Sequence, residues 1–211
     1  TPPFGPVNYN RMKEVLDPYH DFTYDRTYVG DFNGDGSDDV VIHNANSLAL
    51  YLSGVTWQTT LTPEWIQTMP MRGWGNFARH DKFYVADFDG DGKDDLYVVN
   101  TRDFQIPYFA MLRSTGTGFE TVKRYDQELP AWEMREHDRF YVADFDGDGK
   151  EDLYAFNADD WQFGYLGMLA STGDALVVGR RYENTLPGWG SMHSTDQLYV
   201  ADFDGNGMQD L

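Results

Sequence analysis

The sequence predicts an all-β fold built from repeated four-stranded antiparallel sheets, and three observations lead to this prediction. A nine-residue string that begins with Asp-Phe occurs four times at nearly equal intervals. Short runs of β-branched and aromatic residues, bounded by Gly and Asp, flank each copy. No stretch carries the 3.6-residue apolar period of an amphipathic helix. The chain has 211 residues, which is enough to bury a core.

The repeated string defines the units of the chain. It reads DFNGDGSDD at 31–39, DFDGDGKDD at 87–95, DFDGDGKED at 144–152 and DFDGNGMQD at 202–210. Successive copies begin 56, 57 and 58 residues apart. An apolar run such as FYVA precedes each of the later copies, and a run such as LYVVN follows the string. Internal repeats of this length are typical of stacked or ring-forming architectures.

Each unit supplies four predicted strands. The apolar runs on either side of the string are strands 1 and 2, so the string itself is the loop between them. Segments 108–116 and 119–125 are strands 3 and 4 of one unit, joined by a Gly-containing turn, and 165–173 with 175–182 repeat that pair. Four-stranded units that pack side by side around a ring are the blades of a β-propeller.

The whole chain is therefore predicted to be a single β-propeller segment. It contains about three complete blades and a split partial blade, whose N-terminal part is the outer strand of a closing or preceding blade. Unpaired strand edges at both ends lead us to expect further blades, from the same longer protein or from another chain. The approximate bounds of the three units, the partial C-terminal unit and the N-terminal strand are 17–73, 74–131, 132–188, 189–211 and 1–16.

Acidic residues dominate the composition and are concentrated in the repeated string. The chain has 35 Asp and Glu against 16 Lys and Arg, a formal net charge of −19, and 17 of the acids lie in the four strings. This balance disfavours nucleic acid as a partner, because nucleic acid binding rewards basic patches. No apolar run is long enough for membrane insertion. Cysteine is absent, which excludes disulfides and Cys-based metal sites.

The spacing of the acids within the string is that of a calcium loop. In the second copy Asp87, Asp89 and Asp91 occupy positions 1, 3 and 5, Asp95 occupies position 9, and Gly92 allows a sharp turn at position 6. Ca²⁺ prefers such alternating oxygen ligands, and the backbone carbonyl of position 7 adds another. An EF-hand is excluded because it needs a Glu at position 12 and flanking helices. Acidic β-turns without a metal are the alternative, since Asp-Gly is also a hairpin signal.

These features resemble the FG-GAP/VCBS repeat family, the calcium-binding β-propellers of the integrin α-subunit type. The resemblance covers nearly the whole chain, and since no Gly-Ala-Pro element is present, the chain is more similar to the VCBS-like branch. The resemblance implies up to four Ca²⁺ ions, one per loop. The implied ligands, with backbone carbonyls at position 7, are Asp31, Asn33, Asp35, Ser37 and Asp39; Asp87, Asp89, Asp91, Lys93 and Asp95; Asp144, Asp146, Asp148, Lys150 and Asp152; and Asp202, Asp204, Asn206, Met208 and Asp210.

A ligand-binding surface is predicted at the end of the sheets opposite the calcium loops. The loops between strands 2 and 3 lie there, and in two units they carry an aromatic residue flanked by Asp and Gln. An aromatic ring beside such polar groups suits a sugar, and some members of the resembled family are lectins. The alternative is an aromatic tip that packs on its neighbour. The candidate ligand residues are Asp103, Phe104, Gln105, Asp160, Trp161 and Gln162.

The expected function is that of a non-catalytic binding module. The sequence has no G-x-S-x-G, no H-E-x-x-H and no phosphate-binding glycine loop, and the repeated His-Asp steps at 80–81 and 137–138 are interpreted as structural. The expected ligand is carbohydrate. The alternatives are a protein surface, in an adhesion module, and a role as accessory domain of a secreted hydrolase or toxin. We expect a secreted or cell-surface location, extracellular or periplasmic, where abundant calcium fills even weak sites.

Overall fold

The structure is a computed structural model, which describes residues 26–44, 47–53, 64–68, 80–102, 107–130, 132–159 and 164–211. All regular secondary structure within these ranges consists of β-strands, so the predicted all-β class is confirmed for this part of the chain. In the same ranges no helix is long and apolar enough to cross a membrane. The predicted N-terminal outer strand, residues 1–16, lies outside the described residues.

Within the described ranges, three four-stranded antiparallel sheets form the body of the fold, each with its strands in sequential order. The repeated string lies between the first and second strand of each sheet, as predicted. The first sheet contains β1 (Arg26–Gly30), β2 (Asp39–Asn44), β3 (Ser47–Tyr51) and β4 (Trp65–Thr68). The second contains β5 (Lys82–Ala86), β6 (Asp95–Asn100), β7 (Tyr108–Ser114) and β8 (Phe119–Asp126). The third contains β11 (Arg139–Ala143), β12 (Asp152–Asn157), β13 (Tyr165–Ser171) and β14 (Leu176–Glu183).

Two short hairpins lie in the connections that follow the second and third sheets, and the sequence does not predict them. They pair β9 (Glu128–Leu129) with β10 (Trp132–Glu133) and β15 (Thr185–Leu186) with β16 (Gly190–Ser191). Gln127 and Asn184 enter these hairpins with φ of 69° and 60°. Their backbone carbonyls accept hydrogen bonds from the N–H groups of Met134 and Met192, at 2.9 and 3.0 Å. The two connections therefore share one backbone design.

Apolar side chains on both faces of the second sheet pack against the neighbouring sheets. Strand β6 is buried along its whole length. Because successive side chains of a strand point to opposite faces, Leu96 and Val98 pack with the core of the first sheet, whereas Tyr97 and Val99 pack with that of the third. Sheets that bury both faces against neighbours are organised like propeller blades.

In the fourth repeat an isolated β-bridge joins Ala201 to Asp210, at the two ends of the repeated string. Its aromatic residues lack the cover that their equivalents have. Phe203 is 67% exposed, whereas Phe88, at the same place in the second repeat, is 0% exposed and stacks on Tyr97 with ring centroids 5.3 Å apart. An apolar surface is therefore open at the C-terminal end.

Candidate metal centre

Each repeated string folds into a tight loop around its first Asp. In the second loop, Oδ1 of Asp87 accepts hydrogen bonds from the backbone N–H groups of Gly90 (2.8 Å) and Asp91 (3.1 Å). Its Oδ2 accepts a third from the N–H of Gly92 at 3.0 Å. The first, third and fourth loops make the same three bonds. The position-1 carboxylate thus fixes the backbone path of every loop.

Glycine is required at two positions of that path. The residues at positions 4 and 6 have φ between 75° and 91° in all four loops, which is the left-handed region that other residues rarely adopt. The sequence predicts the sharp turn at position 6, and the structure adds position 4. Substituting either glycine strains the loop and moves the groups that it carries.

Carboxylates of positions 1, 3 and 9 converge in three of the loops. Oxygen atoms from the three side chains lie within 4.8 Å of one another, and such crowding of like charge is costly without a cation. In the first loop Asn33 offers an amide oxygen at position 3. The convergent groups among the described residues are Asp87, Asp89 and Asp95; Asp144, Asp146 and Asp152; and Asp202, Asp204 and Asp210.

The acid at position 5 of the second and third loops pairs with a lysine. Asp91 and Asp148 are outside the convergent groups of the described chain. Each pairs with the ammonium group of the lysine two residues later, Lys93 or Lys150. The hydrogen bond from Lys150 holds the pKa of Asp148 below its usual value. At position 7 the backbone N–H donates to the position-5 side chain in all four loops, from Ser37, Lys93, Lys150 and Met208 to Asp35, Asp91, Asp148 and Asn206.

Position 9 is the most buried part of the centre. Asp95 is 0% exposed, and its Oδ1 accepts the backbone N–H of Ser114 at 2.6 Å. Its Oδ2 is buried with no hydrogen-bond partner in the described structure, and the same holds for Oδ2 of Asp39. A buried carboxylate oxygen without a partner costs several kcal/mol, on the order of a lost charged hydrogen bond. The donor set of this centre consists only of oxygen atoms, and it fits a hard divalent cation.

The pKa values of the position-9 carboxyls reflect this environment. Burial, reinforced by the charges of Asp89 and Asp87, raises the pKa of Asp95 to about 8. Burial also raises the pKa of Asp152 to about 6, and it raises that of Asp39. A nearby cation favours the charged form of a carboxyl and so acts against all three shifts.

Arg113 also belongs to this centre, although the pattern of the repeated string does not indicate it. Its Nε donates to Oδ2 of Asp89 at 2.5 Å, and its Nη2 donates to the backbone carbonyl of Gly173 at 2.8 Å. The equivalent residues in the first and third sheets are Leu52 and Ala170. Aligning the repeats by their strand registers would have revealed Arg113, because it is a charged residue at an otherwise apolar position.

The six candidate ligand residues at 103–105 and 160–162 lie outside the described residues. The bases of their hairpins are described, and they are held by buried acids. Oδ1 of Asp138 accepts hydrogen bonds from Nδ2 of Asn157, at 2.7 Å, and from the hydroxyl of Tyr165. Asp81 accepts the same pair of bonds from Asn100 and Tyr108. The acids of the His-Asp steps therefore anchor the chain on both sides of each hairpin.

Comparison with known proteins identifies the family of these repeats. The model of the FG-GAP-like repeat matches residues 31–98 and 87–155. No curated protein matches the chain. Among solved structures, a Bacillus licheniformis rhamnogalacturonan lyase is similar at 18% identity and a TM-score of 0.55, over 87% of this chain and 38% of its own. The exotype rhamnogalacturonan lyase YesX is similar at 17% identity and 0.57, over 87% and 37%.

The Tc holotoxin pore of Photorhabdus luminescens is similar at 20% identity and a TM-score of 0.55, over 93% of this chain and 8% of that one. At such identities these likenesses show a shared fold. The chain spans about two fifths of the length of the lyases and less than a tenth of the toxin chain. The matched repeats extend over residues 31–155, which is more than half of the 211 residues, and so the chain belongs to the FG-GAP-like repeat family.

Proposed function

We propose that the chain is a calcium-stabilised β-propeller segment that serves as a non-catalytic binding module, with carbohydrate as its ligand. One observation carries the calcium part of this proposal. Oδ2 of Asp95 is fully buried without a hydrogen-bond partner in the described residues, and the side chain converges with Asp87 and Asp89 to within 4.8 Å. A cation is the group that such an oxygen lacks.

Calcium suits these loops better than magnesium. Mg²⁺ keeps several of its waters and uses one or two carboxylates, whereas Ca²⁺ accepts many protein oxygens in a flexible shell. Positions 1, 3 and 9 would hold the ion through side chains, and the backbone carbonyl of position 7 would add a ligand. In the second and third loops, position 5 would join once Asp91 or Asp148 turns from its lysine. The ion would neutralise the carboxylate cluster and hold the loop closed.

The carbohydrate part rests on the hairpins opposite the calcium loops. Phe104 and Trp161 occupy the same place in two repeats, each between Asp and Gln. The buried acids Asp81 and Asp138 fix the bases of these hairpins. Two of the structural neighbours are lyases of rhamnogalacturonan, a polysaccharide. We also propose that the chain belongs to the VCBS-like, lectin-like branch of the family.

A glycan array that includes rhamnogalacturonan fragments tests this ligand class. We expect binding in calcium, loss of binding in EDTA, and loss in the double variant Phe104→Ala, Trp161→Ala, which leaves the calcium loops intact. Absence of glycan binding, with calcium-dependent retention on a protein partner, would replace the lectin role with the adhesion role. Retained binding by the double variant would place the sugar elsewhere on the chain.

An accessory domain of a secreted hydrolase or toxin is the second candidate function. The observation that favours it is coverage: 87% to 93% of this chain aligns with 38% or less of two lyases and a toxin. In either role we propose a secreted or cell-surface location, where calcium is abundant. Reading the complete gene for a catalytic domain beside these repeats tests the second candidate.

Further propeller blades are the proposed partner of the C-terminal end. Tyr199 and Phe203 are 66% and 67% exposed there, although their counterparts in earlier repeats pack within or between sheets. In the second repeat the cover of Phe88 comes from Tyr97, on the strand that follows the calcium loop. We propose that an equivalent strand, from the same longer protein or another chain, covers Phe203.

A further inference from the structure

Neighbouring calcium loops are joined by reciprocal hydrogen bonds at position 8. The backbone N–H of Glu151 donates to the carbonyl of Asp87 at 2.9 Å, and its Oε2 accepts the backbone N–H of Asp87 at 2.9 Å. Asp94 makes the same two bonds with Asp31, at 2.9 and 2.7 Å. Asp87 and Asp31 are the position-1 residues around which their loops close. Each acid therefore clamps the residue that organises the preceding loop.

A second link between loops runs through the serine that ends strand 3. The backbone N–H of Ser171 donates to Oδ1 of Asp152 at 2.8 Å, and its hydroxyl donates to the carbonyl of Phe88 at 2.6 Å. Asp152 is the position-9 carboxyl of the third loop, and Phe88 is position 2 of the second loop. Ser114 connects Asp95 with the carbonyl of Phe32 in the same way. Positions 8 and 9 of one loop are thus both tied to the start of the loop before it.

We propose that the position-8 acids Asp94 and Glu151 couple adjacent calcium loops, so that filling one loop raises the calcium affinity of its neighbour. This inference rests on the proposed calcium function. An ion in the third loop would fix position 9, and with it Glu151, which holds the backbone of Asp87. The second loop would then be ordered before its own ion arrives, and that ion would bind with a smaller loss of conformational entropy.

The sign of the effect separates this coupling from simple electrostatics. Two divalent cations in neighbouring loops repel each other, which by itself makes the second ion bind more weakly. The hydrogen bonds between Glu151 and Asp87 have the opposite effect, because they let an ion in one loop raise the calcium affinity of the other. It is also reciprocal, since the second loop must raise the affinity of the third by the same factor.

The junction between the third and fourth loops differs from the other two at position 8. Gln209 occupies position 8 of the fourth loop, and its backbone N–H donates to the carbonyl of Asp144 at 3.0 Å. The backbone half of the clamp is therefore kept, while the carboxylate found at position 8 of the other three repeats is replaced by an amide. We expect weaker coupling between the third and fourth loops than between the second and third.

A double-mutant cycle on the full chain tests the proposal. Amide hydrogen exchange at Gly90 and Gly92, whose N–H groups bond to Asp87, reports calcium binding in the second loop alone. Asp146→Ala removes an exposed ligand and disables the third loop, and native mass spectrometry confirms the loss of one ion. We expect this change to raise the calcium midpoint of the second loop by about tenfold, within the usual range of coupling between sites.

Variants at Glu151 complete the cycle. With Glu151→Ala we expect Asp146→Ala to leave the midpoint of the second loop unchanged. Glu151→Asp places an aspartate at position 8 of the third loop, where the second loop has Asp94. This variant should keep the coupling. Glu128→Ala, which removes an equal charge from an exposed position of β9, serves as the matched control and should also keep it.

Two results distinguish the failure of the coupling from the failure of the calcium proposal. If the second-loop midpoint is the same with and without a functional third loop in the wild-type background, the coupling is overturned while the calcium proposal stands. If calcium protects the amides of none of the loops, the calcium proposal itself fails. Glu151→Asp shows whether an effect of Glu151→Ala comes from the lost clamp or from a misfolded loop.

Discussion

Asp95 and Ser114 form a hydrogen bond that engages only one of the two carboxylate oxygens of Asp95. The backbone N–H of Ser114 donates to Oδ1 of Asp95 at 2.6 Å, while Oδ2 is buried with no hydrogen-bond partner among the described residues. The bond fixes the orientation of the side chain, which converges with the carboxylates of Asp87 and Asp89. The side chain is therefore placed for a ligand before any ligand binds.

Calcium removal is expected to lower the stability of the fold. A ligand that binds only the folded state stabilises it by about 2.7 kcal/mol when its concentration is 100 times its dissociation constant, and each filled loop adds its own share. Thermal denaturation in excess calcium and in excess EDTA measures the difference. Magnesium at the same concentration should restore less of the melting temperature, because it uses fewer carboxylates.

Asp95→Asn should abolish the calcium effect of one loop without harming the metal-free protein. The pKa of Asp95 is raised to about 8, so the carboxyl is mostly neutral at pH 7 in the absence of metal, and an amide can still accept the bond from Ser114. We expect an unchanged melting temperature in EDTA and a smaller gain in calcium. Asp159→Asn, at an exposed site, is the control. An equal gain for both variants would remove Asp95 from the proposed ligand set.

Ser171→Ala is expected to destabilise the chain by about 1–3 kcal/mol, the usual cost of a buried acceptor that loses its partner. The acceptor is the carbonyl of Phe88, which the hydroxyl of Ser171 reaches across the junction between the second and third sheets. Urea denaturation measures the loss. Ser191→Ala, at an exposed position of β16, should change stability by much less. Equal effects of the two substitutions would show that the hydroxyl contributes nothing at the junction.

His43 is expected to lower the stability of the fold in acid. Burial, with the positive charge of Arg26, lowers the pKa of His43 from 6.5 to about 3. Between these values the unfolded chain binds a proton that the folded chain does not, so stability decreases as the pH falls below 6.5, by about 1.4 kcal/mol per pH unit. Above 6.5 both forms are neutral and the contribution vanishes.

His43→Phe removes this titrating group and keeps a ring beside Phe83, which His43 contacts at 4.7 Å between centroids. Between pH 7 and pH 5 the wild type should lose about 2 kcal/mol more than the variant, measured by chemical denaturation at both values. The carboxyl groups titrate in both proteins and cancel in the comparison. Parallel loss of stability in the two proteins would contradict the assignment to His43.

The features that could be predicted from the sequence are those that a repeat carries locally. Spacing within the string predicts the loop, the turn at position 6 and the convergence of positions 1, 3 and 9, because loop geometry depends on neighbouring residues. Alternating apolar runs likewise predict the strands on either side. Position 5 is different: Lys93 competes for Asp91, and a ligand pattern alone does not reveal that competition.

Contacts between repeats could not be predicted in the same way. The bonds between Glu151 and Asp87 and between Ser171 and Phe88 join residues more than 60 positions apart, and they depend on how one sheet packs on the next. The bridge that Arg113 makes between Asp89 and Gly173 has the same origin. The hairpin of β9 and β10 follows from the positive φ of Gln127, a residue with no strong turn signal.

Equilibrium dialysis of the metal-free chain against calcium measures directly whether the loops bind the ion. We expect uptake of one calcium ion per loop, up to four per chain, and loss of about one ion when Asp95 is replaced by Asn. Retention of no calcium at millimolar concentration, with a melting temperature that EDTA leaves unchanged, would contradict it and would reduce the four loops to acidic turns.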